Sequence, residues 1–238
     1  MKTVSILDIP ITLMENSELQ RLCDAFLQER ACHHIVTANA EYLVAAHRDL
    51  VFRNLIQRAA LATADGSGLI FAARFLGYRA SLADRVTGVT LTTMLLHEAE
   101  KRSLPTCIIL KHNSITAPEK LSDVLHAQFP KLLFKVLREP VSTVDLQGFR
   151  PVILFAALGA PDQDFLIDSL KTSLPDLRIA VGVGGTFDFI SGTIIRAPGF
   201  LRAVGIEWAW RLAQEPKRIG RIIRAVVVFP YIVMRSKL

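Results

Sequence analysis

The sequence predicts an α/β protein with a mostly parallel sheet flanked by helices and an amphipathic helical appendage at the C-terminus. Short β-branched segments alternate with longer segments of helical periodicity, which is typical of such a sheet. The alternation ends after Val183, and residues 196–238 then combine basic with apolar side chains. Of the 238 residues, 51% are hydrophobic, which is enough for a sizeable core.

Six segments are predicted to be strands because β-branched and apolar residues are concentrated in them. They are His34 to Thr37, Leu61 to Ala64, Thr106 to Leu110, Leu132 to Val136, Val152 to Ala157 and Arg178 to Val183. Five segments between them have helical periodicity: Glu41 to Gln57, Gly68 to Leu76, Thr87 to Arg102, Ala117 to Gln128 and Asp162 to Thr172. Ligands of such sheets bind beyond the carboxyl ends of the strands, so polar residues there are the candidate site residues.

The chain is predicted to divide into a core, residues 1–195, and a C-terminal appendage, residues 196–238. The appendage has nine Lys and Arg against two Glu, whereas the whole chain has a net charge of +6, so the core is nearly neutral. Helices are expected around Phe200 to Ala213 and Lys217 to Phe229, with Pro216 in the first turn of the second.

On a helical wheel of the last helix, basic residues share one side and apolar residues share the other. The basic set is Lys217, Arg218, Arg221 and Arg224, and the apolar set is Ile219, Ile223 and Val226. This pattern predicts an anionic partner. Because the basic residues lie on an amphipathic helix, an anionic membrane surface is expected rather than nucleic acid.

No segment is predicted to direct export or to span a membrane. The N-terminal apolar run is interrupted by Asp8 and Pro10, unlike a secretory signal. The longest apolar run, Ala225 to Met234, has ten residues, whereas a bilayer span takes roughly 20. The three cysteines have no CxxC or metal-like spacing and are expected to be reduced thiols. We therefore expect a cytoplasmic protein, peripheral at the inner face of the membrane.

Two strand ends carry polar side chains with two possible uses each. In TANAEYL, Thr37 and Asn39 could hydrogen-bond a polar ligand or could cap the following helix. In ADGSGL, the Asp65 carboxylate could act as a general base or could be an ordinary turn residue.

Three further motifs offer groups for a phosphate or a sugar. In DRVTGVT, the backbone amides with Arg85 and Thr87 could bind phosphate at a helix N-terminus, or Thr87 could cap the helix while Arg85 is solvated. In LGAPDQDFL, Gln163 could bind a sugar hydroxyl or a base edge, although a plain strand-turn-helix connection has a similar sequence. In VGGTFDF, Gly184 and Gly185 resemble a phosphate-accommodating turn. HExxH, GxSxG and Walker signatures are missing, and no DxD pair that holds a nucleotide diphosphate through a divalent ion is expected, so arginines and amides are expected to bind any diphosphate.

Six segments, in order, resemble the WecG/TagA/CpsF glycosyltransferase family over roughly Ile35 to Arg224. They are TANAEYL, ADGSGL, DRVTGVT, LGAPDQD, VGGTFDFISG and RAPGFLRAVGIEWAWRLAQEPKR, of which the last two are the most specific. The resemblance implies a Rossmann-like fold and an inverting, metal-independent transfer from a UDP-sugar to an undecaprenyl-diphosphate-linked sugar. The sugar would be N-acetylmannosamine, its uronic acid or a hexose, and the product a bacterial cell-surface polysaccharide.

The resemblance also implies roles for residues. Asp65 would deprotonate the acceptor hydroxyl, Thr37 and Asn39 would position substrate, and Arg85 and Gln163 would lie in the pocket. Four appendage arginines would close over the pocket at the membrane and stabilise the leaving diphosphate: Arg211, Arg218, Arg221 and Arg224. The expected partners are a UDP-sugar donor, a lipid-linked acceptor and an anionic membrane surface, with self-association possible and no metal cofactor. A catalytically inactive UDP-sugar-binding or membrane-scaffold protein is the alternative.

Overall fold

The computed structural model describes residues 1–237, apart from the side chains of residues 202, 203 and 217. The expected place of Lys217 on the basic side of the last helix therefore lies outside the described residues. Eight strands form one sheet: β1 Lys2–Ile6, β2 Ile9–Leu13, β3 His33–Ala38, β4 Leu61–Ala64, β5 Thr106–Leu110, β6 Phe134–Arg138, β7 Ile153–Ala157 and β8 Ile179–Gly182. Their order is β1-β2-β4-β3-β8-β7-β5-β6.

Helices connect and flank the strands. They are α1 Asn16–Gln28, α2 Ala40–Arg48, α3 Leu50–Gln57, α4 Ser67–Phe75, α5 Gly88–Arg102, α6 Pro118–Gln128, α7 Thr143–Gln147, α8 Asp162–Leu170, α9 Thr186–Ile190, α10 Gly199–Ala203, α11 Glu207–Gln214, α12 Ile219–Ile223 and α13 Phe229–Ser236. Leu82–Asp84 and Pro216–Arg218 are 3₁₀ turns, and Arg224–Val228 is a π-helical turn between α12 and α13. In residues 1–237, no helix combines the length and apolar character needed to cross a bilayer.

The sheet joins two halves at the pairing of β3 with β8. Strands β1 and β2 form an antiparallel hairpin, and the other strand pairs are parallel. The β3–β8 register runs from His33 opposite Ile179 to Val36 opposite Gly182. The predicted α/β architecture with a mostly parallel sheet flanked by helices is therefore confirmed. The crevice expected for a ligand lies beyond the carboxyl ends of β3 and β8, where the strand order changes direction.

The appendage is packed into the hydrophobic core. One buried cluster combines side chains of β1, β2, α2, α4 and α13. Phe229 and Val233 of α13 belong to it, with 1% and 2% of their surfaces exposed. Burial of an aromatic ring contributes a few kcal/mol, so α13 is held firmly against α2 and α4.

Several predicted boundaries were wrong for local reasons. The predicted helix Glu41 to Gln57 is two helices, because the Asp49 carboxylate accepts hydrogen bonds from Val51 N (2.9 Å) and Phe52 N (3.1 Å) and so starts α3. Strand β6 begins at Phe134 instead of Leu132. The N-terminal hairpin, α1 and α7 were missed. In VGGTFDF only the glycines form the turn, and Thr186 already begins α9.

The apolar side predicted for the last helix faces outward, but the π-helical turn within this helix was not predicted. Ile219 and Ile223 are outward-facing, with 50% and 47% of their surfaces exposed. Val226, expected on the same side, is 41% exposed and also lines the cavity described below. A π-helical turn holds more residues per turn than an α-helix, so it rotates the following side chains away from α-helical positions.

We predict that Phe229→Ala lowers the free energy of unfolding by about 3–5 kcal/mol, because it leaves a cavity between α13, α2 and α4. The matched control is Tyr231→Ala in the same helix, whose side chain is 58% exposed and whose loss costs less than about 1 kcal/mol. Urea denaturation of both variants measures the difference. Equal stabilities would mean that α13 is not docked in solution.

Candidate active site

A cavity of about 1020 Å³ opens beyond the carboxyl ends of β3, β4, β7 and β8, under the appendage. Every site residue predicted from the sequence lines it: Thr37, Asn39, Asp65, Arg85, Gln163, Gly184, Gly185, Arg211, Arg218, Arg221 and Arg224. The core supplies seven of these residues and the appendage four. The structure thus brings together residues that are up to 187 positions apart in the chain.

Thr37 and Asn39 hold the local backbone as well as facing the cavity. Thr37 Oγ1 donates to the Gly182 carbonyl at 2.8 Å, which ties β3 to β8. Asn39 is the N-cap of α2, where its Oδ1 accepts from Tyr42 N at 3.0 Å. The capping alternative is therefore correct for Asn39, whose amide nitrogen is the group left to contact a ligand.

Asp65 is partly buried at the carboxyl end of β4. Its Oδ1 accepts a hydrogen bond from Gly88 N at 3.1 Å, which leaves Oδ2 for a ligand. Burial raises the pKa of Asp65 to about 6; the hydrogen bond from Gly88 opposes this rise, and the negative charge of Glu207 adds to it. A carboxylate with this pKa is a stronger base than a solvated one and is still ionised at neutral pH.

Backbone amides at the start of α5 already donate hydrogen bonds to side chains of the protein. Thr87 Oγ1 accepts from Thr90 N at 3.1 Å as the N-cap, and Gly88 N donates to Asp65. Two amides that DRVTGVT offers to a phosphate are thus already used, which favours the capping alternative. Arg85 nevertheless lines the cavity, and its positive charge lowers the pKa of Asp65.

Gln163 joins two backbone turns beneath the cavity. Its Oε1 accepts from Gly159 N at 3.1 Å and from Gly184 N at 2.9 Å. A side chain at Gly182 would overlap the Gln163 carboxamide, so the close packing requires glycine there. The amide nitrogen of Gln163 donates to the Tyr42 hydroxyl at 3.4 Å, so one amide hydrogen of Gln163 is left for a sugar.

A DxD triplet, Asp162 to Asp164, was passed over in the sequence reasoning, and its two carboxylates have separate environments. Asp164 is fully buried, where it contacts His34 Nε2 at 3.1 Å and accepts a hydrogen bond from the Tyr42 hydroxyl. Asp162 is on the surface and pairs with Lys111 at 3.5 Å. The two carboxylates therefore do not form a shared pair facing the cavity.

The appendage arginines are paired with carboxylates. Arg211 and Arg218 both contact Glu215. Arg221 and Arg224 both contact Glu41 of α2.

Asp188 of α9 lies close to Arg211. Its Oδ2 is 3.8 Å from the Arg211 guanidinium, and its Oδ1 accepts a hydrogen bond from the Thr116 hydroxyl at 2.8 Å. Burial raises the pKa of Asp188, and these contacts oppose the rise. The Arg211 guanidinium also stacks over Phe189, 4.5 Å from the ring centre.

Four acidic residues of the site were missed in the sequence reasoning: Glu41, Asp188, Glu207 and Glu215. Each lies inside a motif already quoted, in AEYL, TFDF, GIEW and QEP respectively. The available signal was charge balance, since clustered arginines in a partly buried site need carboxylate partners.

Comparison with known proteins identifies the class to which this fold and site belong. The chain matches the sequence profile described as "Glycosyl transferase WecG/TagA/CpsF family" over residues 4–238. The protein therefore belongs to the WecG/TagA/CpsF family and is a glycosyltransferase, which confirms the resemblance drawn from the motifs.

Relatives of this chain include two enzymes named N-acetylglucosaminyldiphosphoundecaprenol N-acetyl-beta-D-mannosaminyltransferase. The protein from Staphylococcus aureus (strain MW2) is 27% identical over 209 residues, covering 85% of this chain and 80% of the relative. The protein from Bacillus spizizenii is 28% identical over 213 residues, covering 87% of this chain and 81% of the relative.

We predict that Asp65→Asn makes the protein more stable than the wild type at pH 8, and that this difference shrinks as the pH falls through about 6. The pKa of Asp65 is higher in the folded than in the unfolded chain, so its ionisation weakens the fold as the pH rises through the folded value. Urea unfolding from about pH 4 to about pH 8 measures the effect, because this range spans the ordinary and the raised pKa of an aspartate.

The matched control is Asp145→Asn, which is expected to have the opposite sign. Hydrogen bonds from Ser142 lower the pKa of Asp145, so its charge stabilises the fold above the unfolded pKa and this contribution is lost in acid. If Asp65→Asn were the less stable protein at pH 8, the hydrogen bond from Gly88 would outweigh the burial of the charge.

Proposed function

We propose that this protein transfers a sugar from a UDP-sugar to a sugar hydroxyl on an undecaprenyl-diphosphate-linked acceptor, with inversion and without a metal. The observation that carries the proposal is a single cavity that contains a carboxylate with a pKa of about 6 opposite a set of arginines. The names of the Staphylococcus and Bacillus relatives support a lipid-diphosphate-linked acceptor.

The proposed reaction is one displacement at the anomeric carbon. The acceptor oxygen forms a bond to that carbon while the bond to the β-phosphate oxygen of UDP breaks. The acceptor proton moves to Oδ2 of Asp65, and the negative charge leaves on UDP. Attack from the face opposite the leaving group inverts the anomeric centre.

The appendage arginines are proposed to stabilise the charge that develops on UDP. Guanidinium groups bind phosphate oxygens through paired, charge-assisted hydrogen bonds, as a divalent ion would by coordination. Because Asp162 and Asp164 have separate environments, we propose that arginines and not a metal bound by this triplet meet the diphosphate.

We further propose that the outer face of the appendage contacts an anionic membrane surface, where a lipid-linked acceptor resides. Large apolar side chains project outward there: Phe200, Val227 and Tyr231 are 70%, 61% and 58% exposed. Arg235 and Lys237 supply positive charge on the same segment. The core at residues 1–195 is proposed to carry the base, and the appendage at residues 196–238 to carry the arginines.

We predict that Asp65→Asn lowers the transfer rate by about 10²–10⁴-fold, the usual contribution of a general base, while UDP binding is kept. The assay combines purified protein, an undecaprenyl-diphosphate-linked acceptor and a panel of UDP-sugars, and it measures UDP release. The wild-type rate is expected to fall as the pH drops below about 6, because Asp65 is then protonated.

The matched control is Asp162→Asn, which removes a surface carboxylate paired with Lys111 and is expected to retain the wild-type rate. If the protein binds UDP but produces no UDP from any UDP-sugar of the panel, the result would instead support the inactive UDP-sugar-binding or scaffold protein. Retention of full activity by Asp65→Asn would exclude Asp65 as the base.

A further inference from the structure

The four appendage arginines form two separate clusters, each built around one shared carboxylate. In the Glu215 cluster, Arg211 contacts Glu215 and Arg218 Nε lies 2.9 Å from its Oε1. We define this cluster as Arg211, Glu215 and Arg218. Two guanidinium charges and one carboxylate give these three side chains a net charge of +1, which Asp188, 3.8 Å from Arg211, offsets; several N–H donors remain for a ligand.

The Glu41 cluster has the same composition but joins the appendage to the core. Arg221 Nε donates to both Glu41 oxygens, at 2.9 Å and 2.8 Å, and a terminal Arg224 nitrogen donates to Oε1 at 3.0 Å. We define this cluster as Glu41, Arg221 and Arg224. It too keeps a net charge of +1 and unused donors at the cavity wall.

The Glu215 cluster lies beside the glycine turn after β8. A Cβ at Gly185 would be 3.0 Å from Asp188 Oδ2, 3.3 Å from an Arg211 nitrogen and 4.0 Å from an Arg218 nitrogen. Backbone and guanidinium groups thus approach each other closely at this end of the cavity, over the carboxyl ends of the central strands. A nucleotide diphosphate bound there would be near the strand ends that supply Thr37 and Asp65.

Along the last helical segments, Arg221 and Arg224 are followed by apolar lining residues from Val226 to Met234, so this part of the cavity is apolar. Its wall there comes from α4, from the loop before α11 and from the last helical segments: Phe71, Ala72, Phe75, Val204, Ile206, Val226, Pro230 and Met234. Phe71, Phe75 and Met234 are 47%, 46% and 49% exposed, so they form an open apolar groove. From Arg218 to Met234 the lining segment covers roughly 24 Å at about 1.5 Å per residue.

We propose that the two clusters are separate diphosphate subsites: the Glu215 cluster for the diphosphate of the nucleotide donor, and the Glu41 cluster for the lipid diphosphate of the acceptor. The first isoprenyl units of the acceptor then lie in the apolar groove beyond the Glu41 cluster. This inference rests on the proposed function, in which both substrates carry a diphosphate. We assign the Glu41 cluster to the acceptor because this cluster is next to the apolar groove, and only the acceptor has an apolar chain joined directly to its diphosphate.

The shared carboxylates explain how two like-charged subsites can lie side by side. Four guanidinium groups without carboxylate partners in one partly buried wall would repel one another, and all four would bind the same anion. Glu41 and Glu215 each fix one arginine pair, which keeps the two pairs apart and pre-organised for different ligands.

The test measures binding without turnover, by titrating the full-length protein with UDP and, separately, with farnesyl diphosphate. Arg218→Ala is expected to weaken UDP binding by about tenfold or more and to change farnesyl diphosphate binding less than about twofold. Arg221→Ala is expected to do the reverse. Arg150→Ala, which removes a surface arginine paired with Asp176 outside the cavity, is the control expected to change neither.

Two further variants separate binding from support of the fold. Glu41→Gln raises the charge of its cluster from +1 to +2, so it is expected to tighten farnesyl diphosphate binding and leave UDP binding unchanged. A purely structural Glu41 would instead give weaker binding of both ligands. Phe71→Ser is expected to weaken farnesyl diphosphate binding several-fold, whereas the control Val144→Ser, 75% exposed on α7, is expected to have no effect.

The inference is overturned if saturating UDP excludes farnesyl diphosphate, or if Arg218→Ala and Arg221→Ala weaken the same ligand equally. Its failure is distinguishable from that of the proposed function. Independent binding of the two ligands without sugar transfer would retain the subsites and reject the chemistry. Transfer that depends on Asp65, with the two ligands competing for one set of arginines, would retain the chemistry and reject the subsites.

Discussion

The pairing of β3 with β8 is the contact on which the site depends. The Thr37 hydroxyl donates across this pair to the Gly182 carbonyl at 2.8 Å, and the Gln163 side chain packs against Gly182 from the other direction. Because Gln163 accepts hydrogen bonds from Gly159 and Gly184, the turns after β7 and β8 are fixed relative to β3. The sheet and its turns therefore hold the floor of the cavity rigidly, as pre-organised catalysis requires.

The roof of the cavity is supplied by the appendage, and hydrophobic burial holds it in place. Phe229 and Val233 enter the cluster formed by β1, β2, α2 and α4, while the Ser67 hydroxyl donates to the Gly205 carbonyl at 2.8 Å. Core and appendage are thus one packed unit around the cavity in the described residues. Residues 196–238 differ from the core in composition because the arginines are concentrated on the segment that covers the site.

Regular elements of the core could be predicted from the sequence because their signals are local. The β-branched runs gave β3, β4, β5 and β7 within a residue or so at each end, and the residues after them gave Thr37, Asn39 and Asp65. The hairpin of β1 and β2 was missed because its turn residues, Leu7 and Asp8, adopt positive φ without the glycine or asparagine typical of such turns, and because β2 contains Pro10. The π-helical turn at Arg224–Val228 was missed because it has no clear sequence signal.

The role of Glu41 could not be inferred from residue types alone, because its arginine partners are distant in the chain. Glu41 and Arg221 are 180 positions apart, yet a bidentate ion pair joins them. A tail with nine basic residues and two acidic ones suggests free positive charge, but Glu41 from the core and Glu215 from the tail each bind two of its arginines.

The cavity therefore has a small net positive charge, carried by arginines whose positions are fixed by carboxylates. An arginine that is already held by a carboxylate loses little conformational freedom when a phosphate binds its remaining N–H groups. Burial raises the pKa of Asp65 to about 6; the hydrogen bond from Gly88 and the charges of Arg85 and Arg196 oppose this rise, and the charge of Glu207 adds to it. Cations for the leaving group and a raised pKa for the base coexist in one cavity because burial raises the pKa of Asp65 more than nearby guanidinium charges lower it.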